Sequence, residues 1–132
     1  YKNDGYIDPT VWIDGSDYSL VIIGEKATIS KDVILLTHDY SIRKALTVVG
    51  RNDDQLRYRF LKQIRIGNNC FIGARSIILP GTTIGDNVII GAGSIVKGVI
   101  ESNSIYGGVH KKKISTIENY AEKHYNQQDF ML

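Results

Sequence analysis

The chain has 132 residues, 42% of them hydrophobic and 23% charged, with a formal net charge of +2. That suffices for one domain around one core; so mild a positive balance says little about partners, and without a concentrated basic face nucleic-acid binding is not expected. One cysteine, Cys70, rules out an internal disulfide framework. No apolar stretch is long enough to span a bilayer and no signal peptide is present, so a cytoplasmic protein without a membrane span is expected; the absence of Met at Tyr1 leaves room for an upstream segment.

Ile7 and Ile13 stand six residues apart; the register then slips, and Ile23-Gly24, Ile29-Ser30 and Leu35-Leu36 resume the step of six. The segment Leu35-Leu36-Thr37-His38-Asp39 places a histidine directly after a repeat side, where a side chain points outward from a corner. From Ile23 to Ile66 is 43 residues, one period of 18 and an excess of 25. The excess falls at about 41–65, SIRKALTVVGRNDDQLRYRFLKQIR, which lacks the repeat and carries many charges, as a loop leaving the body of the fold should. Long loops without regular structure are uncommon in compact domains and tend to carry function.

Residues 66–101 then read in unbroken sixes: IGNNCF, IGARSI, ILPGTT, IGDNVI, IGAGSI, VKGVIE. Position one is aliphatic throughout (Ile66, Ile72, Ile78, Ile84, Ile90, Val96), position two is mostly Gly, and position five is small or β-branched. A period of six fits neither a helix nor an alternating strand. It predicts a solenoid whose coils have three short sides, with Ile66 under Ile84, Ile72 under Ile90 and Ile78 under Val96. The glycines are expected to turn the corners, and Cys70, at position five, is expected in the core.

After Val96 the repeat decays, and Gly107-Gly108 breaks the coil. Ser115-Thr116-Ile117-Glu118 reads as a capping box, and Ile117, Tyr120, Ala121 and His124 share a helical face. The domain reading is a solenoid over 1–114 with the inserted loop, and a helical tail over 115–132 that packs across the open end of the prism.

IDGSDYSLVIIG at 13–24, ILLTHDYS at 34–41, the repeat block 66–96, and SNSIYGG followed by KKKI resemble the hexapeptide-repeat acyltransferases over nearly the whole chain. The likeness is greatest to the maltose and galactoside O-acetyltransferases and to those of capsular polysaccharides. It implies an all-β, left-handed parallel β-helix of about four coils with an external loop and a short C-terminal helix. The left hand comes from the resemblance alone, since crossovers are ordinarily right-handed. It further implies an acetyl-CoA-dependent transfer to a sugar or polysaccharide hydroxyl without a metal, in a homotrimer with active sites between subunits.

The same resemblance makes His38 the catalytic base. An imidazole suits removal of a hydroxyl proton near neutrality, and a backbone amide commonly stabilises the oxyanion. Ala74 and Ala92, one period apart, would leave a smooth groove for a pantetheine arm, walled by Phe71. Lys97 and Lys112 would meet coenzyme A phosphates, although the chain departs from the family at Lys97-Gly98-Val99-Ile100-Glu101 and at His110. Asp17, Asp14 and Asp39 are the candidates for acceptor binding; Asp39 is equally suited to orient His38 or to cap a turn. A zinc enzyme is rejected, since His38, His110 and His124 lie too far apart in such a solenoid to converge within one subunit. Two alternatives remain in view. A non-catalytic solenoid would call for regular threonine ladders, and N-acetylation of an amino sugar would use the same machinery.

Overall fold

A computed structural model describes residues 4–53, 55–109 and 112–128, apart from the side chain of Lys112. Short parallel strands stack into three faces of a prism. The first face runs Val21–Ile23, Ile64–Ile66, Thr83–Ile84, Val99–Ile100. The second runs Tyr6–Ile7, Thr28–Ile29, Phe71–Ile72, Ile89–Ile90, Ser104–Gly107. The third runs Trp12–Ile13, Ile34–Leu35, Ile77–Ile78, Ile95–Val96. The register is the one the spacing of six requires: Ile66 pairs with Ile84, Ile72 with Ile90 and Ile78 with Val96.

The position-one aliphatics form the buried column, and Val33, Cys70, Ser76, Thr82, Val88 and Ser94 pack inside beside them. Buried hydroxyls need partners. Thr82 donates to the carbonyl of Leu79 at 2.6 Å, with that of Val96 also within 3.2 Å, and Ser76 donates to that of Gly91 at 3.2 Å.

The glycines work differently from expectation. A Cβ on Gly67 would lie 2.5 Å from Gly85 O, and one on Gly73 2.4 Å from Ala92 N, so they permit close stacking of coils. The corners are turned at position four, where Asn69, Arg75, Gly81, Asn87 and Gly93 hold positive φ. Asparagine tolerates that conformation, and here it also links coils: Asn69 Nδ2 donates to Asn87 Oδ1 at 3.0 Å, and Asn87 Nδ2 to Asn103 Oδ1 at 2.9 Å.

The insertion is more ordered and shifted relative to 41–65. It leaves as the strand His38–Asp39, antiparallel to Phe60–Leu61, and carries a helix, α1, at Ile42–Val48. It ends before Ile64, which is fully buried and pairs with Val21, because Ile64 and Ile66 both face inward around an outward Arg65.

The tail helix, α2, spans Ile117–Gln127, and its N-cap is Thr116, whose hydroxyl accepts from Asn119 N at 3.1 Å; Ser115 is not the cap. No residue of α2 is fully buried. Lys112–Thr116 lies antiparallel along Ser104–Gly107 at the edge of the second face. No helix among the described residues is long and apolar enough to cross a membrane.

Candidate active site

The strand pair His38–Asp39 and Phe60–Leu61 holds His38 just off the corner that follows the third face, tied back by Lys62 N donating to Thr37 O at 3.0 Å. One coil earlier, Asp14 follows Trp12–Ile13 and is only 8% exposed. Its Oδ1 accepts from Thr37 N at 2.7 Å and Thr37 Oγ1 at 2.6 Å. Its Oδ2 accepts from His38 N at 3.0 Å and lies 3.3 Å from His38 Nδ1. Burial pushes the Asp14 carboxyl up, but the hydrogen bonds from Thr37 and His38 together outweigh it and hold the group below the ordinary carboxylate value.

This arrangement fixes the imidazole's tautomer. Thr37 Oγ1, 3.0 Å from Nδ1, has given its proton to Asp14 and offers only a lone pair. Both neighbours of Nδ1 are therefore acceptors, so Nδ1 carries the hydrogen and Nε2 keeps a free lone pair. Gly15, at φ +70, closes on the ring from the side: a Cβ there would lie 2.4 Å from His38 Cε1. Tyr40 lies parallel to the ring, with centroids 6.4 Å apart and planes 2° from parallel. Trp12, Asp14, Gly15, Leu36, His38 and Tyr40 line an open cleft of about 290 Å³. A base that lines an aromatic-walled cleft and keeps a free lone pair can take a proton from a bound hydroxyl or amine.

The three candidate carboxylates are put to different uses. Asp14 touches His38. Asp17 caps the short turn Tyr18–Leu20, where Ser19 N and Ser19 Oγ donate to it. Asp39 accepts from Ser41 N at 2.8 Å, which caps its own turn. Asp39 follows His38 on the two-residue strand and lines another cavity, about 120 Å³, with Phe60, Lys62, Leu79, Pro80 and Lys97.

Ala74 and Ala92 stack at the corner after the second face, with Gly93 N donating to Ala74 O at 2.8 Å. Phe71 stands half-exposed on that second face. Lys97 is instead at the His38 corner, since Leu79 N bonds Val96 O and Leu36 N bonds Ile78 O in one column. The structure thus separates Lys97 from the two alanines. His110, Lys111 and the Lys112 side chain lie outside the described residues.

Cys70 is buried and donates to Gly85 O at 3.0 Å, and burial pushes its thiol up, so it is no nucleophile. His124 lies on α2 against Tyr120, with ring centroids 4.5 Å apart. Among the described residues no cluster of His, Cys, Asp or Glu is arranged to hold a metal ion. Sequence reasoning missed Thr37, Gly15, Trp12 and Tyr40. Tyr40 was within reach, because it stands two residues from His38 and strand side chains alternate.

Residues 63–97 match a family described as a hexapeptide repeat of succinyl-transferase. Protein CapG of Staphylococcus aureus is 41% identical over 119 residues, covering 88% of this chain and 64% of its own. The galactoside O-acetyltransferase of Escherichia coli (strain K12) is 40% identical over 114 residues, covering 86% of this chain and 52% of its own. The chain therefore spans between about half and two thirds of the length of these curated relatives. A solved structure of a galactoside acetyltransferase in complex with coenzyme A matches at 30% identity and a TM-score of 0.65, covering 98% of this chain and 70% of that one. The left-handed winding of the coil goes with these matches. Repeat, register and relatives agree: the chain belongs to the hexapeptide-repeat acyltransferases.

Proposed function

We propose that the protein is an acetyl-CoA-dependent O-acetyltransferase acting on a hydroxyl of a sugar or polysaccharide. The observation that carries this reading is the Asp14–Thr37–His38 arrangement, which leaves Nε2 as a free base in a cleft walled by Trp12 and Tyr40. Aromatic faces of this kind suit sugar rings. His38 Nε2 takes the hydroxyl proton as the oxygen attacks the thioester carbonyl. On collapse the C–S bond breaks, and the imidazolium returns that proton to the departing thiolate, so no covalent enzyme intermediate is needed. A backbone amide supplies the oxyanion donor.

A structural relative is solved with coenzyme A, and the donor groove is proposed along the Ala74–Ala92 corner; Lys97 and Lys112 are the proposed phosphate contacts. His38 and the alanines occupy different corners of one prism. A three-sided prism cannot enclose a slender ligand alone, so base and groove come from adjacent subunits of a homotrimer. The third face supports this, since its outward column is Trp12, Ile34, Ile77 and Ile95. We place the enzyme in the cytoplasm, where acetyl-CoA is available.

The test is release of free coenzyme A from acetyl-CoA against a panel of neutral, charged and amino sugars. Transfer to a hydroxyl is expected. Release with amino sugars alone would move the reading to N-acetylation, and release with none would remove it.

A further inference from the structure

A second pocket adjoins the cleft. Tyr40, Arg43, Lys44, Thr47 and Asn52 line a space of about 330 Å³, and Tyr40 also lines the His38 cleft, so the two are neighbours at that residue. Among the described residues the lining holds two cations and no carboxylate. Neither Arg43 nor Lys44 is in an ion pair among the described residues. Arg43 Nε is buried with no hydrogen-bond partner there. Leaving a buried charged donor unmatched is costly, and such a group calls for an explanation. The backbone around it is pinned: Arg43 N donates to Tyr40 O at 3.0 Å, and Thr47 Oγ1 to Arg43 O at 2.8 Å. A guanidinium with an unmatched Nε–H is suited to a carboxylate or phosphate.

We infer that the acceptor carries a negatively charged group, which Arg43 and Lys44 hold while its sugar ring crosses Tyr40 to bring a hydroxyl to His38. This deepens the proposed function and rests on it. The anion is a carboxylate or phosphate of the acceptor; the coenzyme A phosphates are assigned to Lys97 and Lys112, neither of which lines this pocket.

The test follows the Arg43 Nε–H resonance by ¹H–¹⁵N spectroscopy during titration with methyl glucuronide, glucose 1-phosphate, methyl glucoside or coenzyme A. The expected result is a shift with one or both anionic sugars, the responsive one naming the charged group, and none with methyl glucoside or coenzyme A. No shift with either anion, an equal shift with the neutral sugar, or a shift with coenzyme A would overturn the inference. In acetyl transfer, the charged sugar should be preferred over the neutral one by about tenfold or more, the scale of one hydrogen bond to a charged group. Arg43→Gln and the exposed Lys44→Gln should each reduce that preference. A resonance shift without transfer to any sugar would keep the anion site and remove the O-acetylation reading. Transfer with no preference for charge, alike in both variants, would keep that reading and remove the site.

Discussion

Asp14 and Thr37 give the imidazole of His38 one tautomer and one orientation, so the base and its support can be tested apart. His38→Ala should lower acetyl transfer by ~10²–10⁴-fold, with fold and oligomer intact, because the ring stands off a corner and its removal opens no core cavity. Retention of more than half the wild-type rate would contradict the assignment. Asp14→Asn should cost about 1–3 kcal/mol at neutral pH by breaking bonds to Thr37 and His38. The Asp14 carboxyl is held below its ordinary value of 3.8 in the folded chain. Its contribution is therefore full above that value and fades as pH falls through the lower, folded one. Unfolding curves of wild type and variant should converge as pH falls through that lowered folded value; a gap that persisted in acid would disprove the linkage. Gly15→Ala should displace the ring and slow turnover, since its Cβ would meet His38 Cε1. Of this site, the sequence made His38 legible through its neighbours and its place after Leu35-Leu36. It did not separate Asp14 from Asp17 and Asp39, because the step of six breaks between Ile13 and Ile23, where the turn Tyr18–Leu20 intervenes.

At the scale of elements, strands of two or three residues are stable only as members of a stack. Ile84 is buried between Ile66 and Ile100, and Ile84→Ala should cost ~2–5 kcal/mol in chemical denaturation. A neutral result would mean that the inward column is misassigned. The insertion divides into a strand pair that carries His38 and an outer part containing α1. Replacing residues 42–58 with a short Gly-Ser linker should keep coenzyme A affinity, measured by calorimetry, while acceptor turnover is lost. Loss of coenzyme binding with the oligomer intact would assign the outer part to the donor site. The coil was readable because one aliphatic every six residues leaves few alternatives. Helix α1 was not, since its seven residues bury nothing and lack a side-chain N-cap bond. The role of the repeat glycines was also hidden, because close stacking and corner turning both call for a missing side chain.

For the whole molecule, sedimentation should find a trimer, and a fully active monomer would sink the shared-site proposal. The stack also has an order of assembly built into it. From Ile64 to Gly107 each coil joins the next within a short stretch of chain, whereas Val21 reaches its partner Ile64 only after the insertion closes. Closing a longer loop costs more entropy and slows the contact. The later coils should therefore nucleate folding, and the N-terminal coil should zip on last. That coil contains Asp14, so the His38 site is completed only when folding ends. On warming, it should fray first, and activity should fade before the core melts. Amide exchange that is faster around Trp12–Asp14 than around Ile84–Ile90, in step with the loss of turnover, would be the signature.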